Sequence, residues 1–410
     1  MPSGVLFVHN NFPAQFRDLA QTLLARGVRV AAIAGQTAPG VPGVPIGRYA
    51  LDRGTTPNIL PYAVRAEADL IRAAAAFRMG KALKAEGLEP AVIVGHPGWG
   101  ETTFLDELWP DAKRVMFAEF FYRGRGLDID FDDEFFETTE QAILMGKSKS
   151  PVMTLAYAEA DVIVAPTEFQ ASVLPSVFRP RVVVVHEGVD VDAIHPGPAE
   201  PFDLPDGRTI APGTPTITYV NNHMEPMRGL HIFARALPRL MAEIPDAQVL
   251  MFGKESSRPY GGQPPEGTTW REIVFEGLDV DPARLHVMGR APHAQMLAAF
   301  RLSTAHVYYT YPFVLSWSLV EALASGCYVI GSDTPPLHDA ITDGVNGRLL
   351  PFFDIDALSR VLIEACRDPL ASAPLRAAAR ATAVAKFSSR DGREGWLGVL
   401  RNLGVEIPPL

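Results

Sequence analysis

Cysteine is nearly absent from this chain, with two in 410 residues, Cys327 and Cys366, and neither sits in a Cys-x-x-Cys pair. A disulfide framework is excluded, and both read as reduced, small apolar residues. Basic charge is in deficit: 37 Lys plus Arg against 47 Asp plus Glu leave a net charge of −10. A nucleic-acid binder needs a concentrated basic face, so none is expected as a partner. The same balance limits contact with an anionic membrane to weak peripheral docking through a local basic patch. Long uniform apolar runs are missing too. The least charged stretch, Leu302 to Val320, holds His306, Pro312, Ser316, Ser318 and three tyrosines, which is wrong for a spanning helix. Met1-Pro2-Ser3-Gly4 carries no basic leader and is read as leading straight into a strand, so a cytoplasmic protein is expected.

What is present is ordinary globular chemistry, 47% hydrophobic and 20% charged, at a length that predicts two or three domains. Short apolar runs alternate with amphipathic stretches. Gly4–His9, Val28–Ala34, Ala91–Gly95, Arg114–Ala118, Asp161–Ala165 and Arg181–His186 read as strands, with helices at Gln15–Arg26 and Ala63–Gly87. A Pro- and Gly-dense stretch from His195 to Pro215 reads as a linker or small hairpin. The alternation then restarts, with strands at Thr216–Val220, Ala247–Gly253, Leu285–Met288, Ala305–Tyr309 and Tyr328–Gly331. Helices are expected at Gly229–Glu243, Leu319–Ser325 and Asp356–Arg367. Near-continuous apolar strands between helices predict parallel sheets covered on both faces. The expected division is 1–195, 196–385, and a C-terminal helix, 386–410, returning to the first half through Trp396, Leu397 and Leu400. Asp128–Glu140, with seven carboxylates, reads as a solvated approach to a helix, and no metal site is expected there or elsewhere.

Ligands of such folds collect at the carboxyl ends of the strands. The richest segment there runs from Tyr311 to Gly326. A strand ends in a Pro-containing loop and a helix starts near Ser316 to Ser318, where free N–H groups and the dipole can seat a phosphate. Glu321 lies one turn inside, among the apolar Leu319, Val320, Leu323 and Ala324, placed to accept hydrogen bonds from vicinal hydroxyls.

Glu321-Ala-Leu-Ala-Ser-Gly326, Val329-Ile-Gly-Ser-Asp333 and Asp343-Gly-Val-Asn-Gly-Arg-Leu-Leu350 together resemble the C-terminal domain of family-4 retaining glycosyltransferases. Gly188-Val189-Asp190, Gly253 and His286-Val-Met-Gly-Arg290 are similar to that family's strand ends. His9-Asn-Asn-Phe-Pro-Ala-Gln-Phe-Arg17 and His96-Pro-Gly-Trp-Gly-Glu101 resemble one of its subgroups. The resemblance implies the GT-B fold, two Rossmann-like domains with parallel sheets facing a central cleft. It implies transfer of a sugar, with retention, from a nucleoside-diphosphate sugar to a hydroxyl of a glycan, lipid or small molecule. No cofactor beyond that co-substrate and no metal is implied.

By the same resemblance Arg228 stabilises the diphosphate leaving group and Glu321 holds the ribose. Asn222, His223, Gly253, Arg290 and Leu315-Ser316-Trp317-Ser318 join them on the donor side. His96 approaches the transferred sugar, and Asn10, Asn11, Gln15, Trp99 and Glu119 line the sugar or acceptor, with Glu101 a weaker candidate. The chain departs from the family pattern twice: the first acid of Glu-x7-Glu is Phe313, and Asn222 and His223 stand where a second basic residue is usual. A nucleotide-sugar 2-epimerase of the same fold, and a sugar-binding scaffold without turnover, are the rival readings.

Overall fold

The computed structural model describes residues 4–255 and 259–409; Met1–Ser3, the start of the expected lead into the first strand, lie outside them. The chain divides into two compact units, one of residues 1–130, 138–188 and 389–410, the other of 131–137 and 189–388.

The first unit is built on a seven-stranded, all-parallel sheet. Its strands are β1 (Val5–Val8), β2 (Val30–Gly35), β3 (Ile46–Tyr49), β4 (Val92–Gly95), β5 (Lys113–Phe117), β6 (Val162–Ala165) and β7 (Val182–Val184), in the order 3-2-1-4-5-6-7. The period-two rule is visible in β1: Val5 and Phe7 enter one core, Leu6 and Val8 another, so both faces are covered. Helices α1 (Arg17–Ala25), α2 (Val64–Ala85), α3 (Glu140–Lys147), α4 (Pro151–Ala158) and α5 (Glu168–Ser172) accompany the strands. The short β3, and α4 and α5, have no counterpart in the strands and helices expected from the sequence.

The second unit holds a six-stranded parallel sheet and an antiparallel hairpin. The hairpin, β8 (Phe202–Asp203) with β9 (Thr209–Ile210), falls inside the Pro- and Gly-dense stretch. The sheet comprises β10 (Thr216–His223), β11 (Gln248–Lys254), β12 (Leu285–Gly289), β13 (Ala305–Tyr308), β14 (Val329–Ser332) and β15 (Arg348–Leu350), in the order 12-11-10-13-14-15. Its helices are α6 (Leu230–Glu243), α7 (Trp270–Phe275), α8 (His293–Leu302), α9 (Trp317–Ala324), α10 (Ile355–Arg367) and α11 (Ala373–Lys386). The low-charge stretch at 302–320 is thus the end of α8, then β13, a loop and the start of α9. Among the described residues no helix is long and apolar enough to cross a membrane. Cys327 and Cys366 are buried and free, and burial pushes both thiols up to about 12.

Two boundaries differ from expectation. Val189–Ile194 pack with the second unit, because Val189 bridges Ser388 and Val189, Val191 and Ile194 fill that unit's core. The last helix, α12 (Ser389–Asn402), belongs with the first unit, where Trp396 lies 5.9 Å from the ring of Phe16 and 6.3 Å from that of Phe117.

The acidic stretch is also corrected. The stretch leads into α3 at Glu140, but 131–137 pack with the second unit while Asp133, Glu134, Phe136 and Glu137 stay exposed. Phe131 contacts Tyr311, Phe352 and Phe353, and Phe135 and Phe136 contact Trp270. Asp132 accepts the Tyr311 hydroxyl at 2.6 Å and lies 3.1 Å from Nε2 of the buried His231, while Glu134 takes both ends of the Arg235 guanidinium. Phe131 and Phe135 are half-buried and Asp132 and Glu134 sit on fixed partners, while Phe136, Asp133 and Glu137 are exposed.

Candidate functional site

The donor-side candidates gather at the carboxyl ends of β10 and β13. Asn221-Asn222-His223 end β10 itself and are not a loop. Asn222 donates its Nδ2–H to the Tyr260 hydroxyl at 2.8 Å. The pKa of His223 is lowered by burial, and further by Lys254 and Arg228, so it is neutral at pH 7 and adds no cationic charge. Lys254 is paired with His223 across the sheet and went unnoticed, although it directly follows Gly253. Gly253 is needed there because a Cβ would meet the Asn221 carbonyl at 2.9 Å.

Arg228 ends a short 3₁₀ turn, Pro226–Arg228, closed by Gly229 at φ 69°, ahead of α6. It is 3% exposed, which excludes a solvated helix-start role. Its Nη1 donates to the Tyr308 hydroxyl (3.1 Å), Thr310 Oγ1 (2.9 Å) and the Val314 carbonyl (2.9 Å). Its guanidinium carbon lies 5.4 Å from the Phe313 ring centroid and 5.9 Å from that of Tyr260. Phe313 therefore places an aromatic ring, not a carboxylate, near the cation. Burial raises the pKa of Glu225, opposed by the Gly261 N–H, which its Oε2 accepts at 2.7 Å, and by the Arg228 charge. Among the described residues Arg228 makes no ion pair. It is a buried cation held by neutral acceptors and ring faces.

Ser316 is the N-cap of α9, and two of the N–H groups expected to seat a phosphate have partners within the fold. Ser316 N–H donates to Tyr308 Oη at 2.8 Å, and Ser318 N–H to Ser316 Oγ at 3.0 Å. Both of these donors are engaged within the local fold. Leu315 packs on the core, Trp317 is half exposed, and Arg290 is exposed after β12. Glu321 lies one turn into α9, its side chain 15% exposed, with Oε1 2.7 Å from His293 Nε2. Burial raises its pKa, and His293 opposes that rise.

The first unit gathers its own candidates at the ends of β1 and β4. His96 follows β4, is buried, and accepts the Gly98 N–H on Nδ1 at 3.1 Å. The proton therefore sits on Nε2, 3.2 Å from Glu119 Oε2. Trp99 stacks at 4.6 Å from the His96 ring, and His9 lies 5.2 Å from it edge-on. Burial, then His96, drive the His9 pKa down to about 2, against a hydrogen bond with Gln15. Asn11 donates its N–H to His9 Nδ1 at 2.9 Å. Asn10 Oδ1 lies 3.0 Å from the Tyr49 hydroxyl, which donates to Glu101 Oε1 at 2.6 Å. Glu101 is fully buried on that hydroxyl, so it is an internal structural acid and not a sugar ligand.

Sequence reasoning missed Tyr260, Lys254, His293 and the group Asp132, Glu134 and His231. No local motif announces them, since each meets its partner through the fold. The last three bring ligand atoms within 4.8 Å of one another, close enough for a cation, but Arg235 already occupies Glu134.

Two parallel-sheet α/β units with these strand-end sites define a GT-B glycosyltransferase fold. Residues 26–194 match the model of the glycosyl transferase family 4 group and residues 214–368 that of glycosyl transferases group 1, and the chain belongs to this family. It is 28% identical over 218 residues to a phosphatidyl-myo-inositol mannosyltransferase of Mycolicibacterium smegmatis, covering 52% of this chain and 48% of that one. It is 29% identical over 249 residues to a D-inositol 3-phosphate glycosyltransferase of Nocardia farcinica, covering 58% and 52%. The chain thus spans about half the length of these curated relatives. Among solved structures it is similar to sucrose-phosphate synthase from Thermosynechococcus elongatus, with a TM-score of 0.70 at 17% identity over 98% of this chain and 99% of that one.

Proposed function

We propose that the protein is a retaining glycosyltransferase that moves a sugar from a nucleoside-diphosphate sugar to a hydroxyl acceptor. The observation that carries this reading is Arg228: a buried guanidinium that makes no ion pair among the described residues, with the buried Glu225 acting on it electrostatically, beside the ends of β10 and β13. Burying a charge without a counterion costs several kcal/mol, and an anionic ligand removes that cost. A diphosphate gains charge as the bond to the sugar breaks, so this cation is more favourable to the transition state than to the ground state. Glu321 accepts from the ribose. His96 offers the sugar the Nε2–H that Glu119 accepts in its absence, and it does not act as a base, because Nδ1 is occupied.

The first unit takes the acceptor in this reading, with Asn10, Asn11, Gln15, Trp99 and Glu119 around it. Both relatives are named for inositol-containing substrates, which makes inositol-type polyols, free or lipid-linked, the first acceptors to screen. A cytoplasmic enzyme with weak peripheral contact at the inner membrane face fits a lipid-linked acceptor. Phe313 and Asn222 favour a second reading, a nucleotide-sugar binder without turnover, since both replace charged residues usual in the family.

The test is a thermal-shift screen with UDP, GDP and ADP, followed by transfer assays with the matching donors and polyol acceptors. Acceptor-dependent release of diphosphate, with the donor's anomeric configuration kept in the product, supports the proposal. Tight binding without turnover on any pair favours the scaffold, and binding of none of the three removes the donor assignment.

A further inference from the structure

His293 stands 28 positions before Glu321, yet the fold sets its Nε2 2.7 Å from Glu321 Oε1. It opens α8 just after Pro292, on the helix that packs against α9. Glu321 is desolvated by burial, on a helix whose Leu319, Val320 and Leu323 pack into the unit's core. Among the described residues the hydrogen bond from His293 is the one drawn to this carboxylate. A glutamate in such a place has three rotatable bonds and weak solvation. Both its ionised form and its rotamer need a donor to hold them.

We infer that His293 is a positioning residue for the nucleotide: it donates Nε2–H to Oε1 of Glu321 and leaves Oε2 to accept from the ribose hydroxyls. This rests on the reading of Glu321 as the ribose ligand. Two features of the structure support it. The histidine side chain is 57% exposed while that of the glutamate is 15% exposed, so the pair lies at the edge of the protein, where a ligand can reach it. The donor also comes from a different helix, so it fixes the carboxylate across an α8–α9 contact that no local hydrogen bond within α9 supplies.

The experiment measures calorimetric dissociation constants on the full chain. The probes are UDP, GDP and ADP, and the 2′,3′-dideoxy counterpart of whichever binds. His293→Ala is expected to weaken the ribonucleotide about three- to tenfold, the scale of one typical hydrogen bond, and to leave the dideoxy nucleotide within about twofold. His293→Gln keeps an N–H donor and is expected to restore most of the ribonucleotide affinity. Glu321→Ala is expected to weaken the ribonucleotide more and to erase the preference for ribose over dideoxyribose.

Equal weakening of both nucleotides by His293→Ala means a general structural role and overturns the inference. So does no weakening of either while Glu321→Ala still erases the ribose preference, and in that outcome the ribose reading stands. An unchanged ribose preference in Glu321→Ala overturns the ribose reading, and the inference with it.

Discussion

Replacing Arg228 by methionine removes a cation that the apo protein holds at a cost. Two opposing effects follow for stability. Hydrogen bonds to Tyr308, Thr310 and the Val314 carbonyl are lost, at about 1 kcal/mol each. Against this, a buried guanidinium without an ion pair is no longer desolvated, a relief of several kcal/mol by the same scale, and the methionine stem still packs against Phe313 and Tyr260. The net change in apo stability is expected within about 2 kcal/mol of zero. Function is expected to respond differently, because on the proposed reading nothing offsets the loss of charge opposite the diphosphate. The expected fall in kcat/KM is at least ~30- to 100-fold, or about 2–3 kcal/mol of transition-state stabilisation. Urea unfolding of the free protein, unfolding with saturating diphosphate, and initial transfer rates measure the three quantities. At 100 times Kd a ligand raises stability by about 2.7 kcal/mol, and Arg228→Met is expected to lose most of that increment. Wild-type transfer rates, or an undiminished diphosphate increment, refute the assignment of Arg228 to the leaving group.

Four further outcomes follow from the same geometry. Gly229→Ala puts a Cβ 2.3 Å from Tyr309 Cβ at a φ of 69°, so a loss of about 2–4 kcal/mol is expected in urea unfolding, together with weakened diphosphate binding. Trp396→Ala empties the ring space against Phe16 and Phe117, with an expected cost of about 3–5 kcal/mol; a wild-type unfolding midpoint contradicts the packing of α12 on the first unit's sheet. Burial lowers the His9 and His306 pKa values to about 2 and about 3. Folded values below the unfolded 6.5 mean stability that is full above pH 6.5 and falls with acidification, by about 1 kcal/mol per pH unit per histidine; His9→Gln and His306→Gln should each flatten the slope of urea midpoint between pH 6.5 and 4. For Asp132 burial works upward, but His231, Tyr311 and the Glu134 N–H outweigh it and hold the carboxyl at about 2. Its contribution is present above pH 3.8 and lost on falling to 2, so Asp132→Asn should remove part of the acid transition seen by circular dichroism in that window.

The strands were legible because β1, β4, β6, β10 and β13 are short apolar runs buried on both faces, a pattern that periodicity detects. The motif around Glu321 was legible because helix start and acid lie within one turn of each other. Ser316 was misread for a physical reason: a serine at a helix start is both a sign of open N–H groups and the residue that closes them. The acidic stretch was misread because composition describes solvation on average, whereas Asp132 and Glu134 find a tyrosine, a histidine and an arginine about 100 or more residues away. Glu101 shows the same limit, being indistinguishable from a ligand until Tyr49 is seen to bind it.

The two departures from the family pattern acquire a common meaning in the second unit. A carboxylate at 313 would stand beside Arg228 and neutralise it whenever the donor is absent. Phe313 supplies a ring face instead, an attraction of about 0.5–2 kcal/mol, weaker than a buried ion pair and without a formal charge. Asn222 in turn spends its amide on Tyr260, the second ring near the same guanidinium. His223, kept neutral by burial and by its cationic neighbours, adds no competing positive charge. The lost charges are thus replaced by an aromatic and neutral polar enclosure around one cation. Such an enclosure leaves Arg228 more dependent on an incoming anion than a charged one would. Phe313→Glu is the direct check: an internal counterion there is expected to weaken free diphosphate binding measured by calorimetry, and an unchanged or tighter Kd refutes the idea that the rings keep the cation unpaired for its ligand.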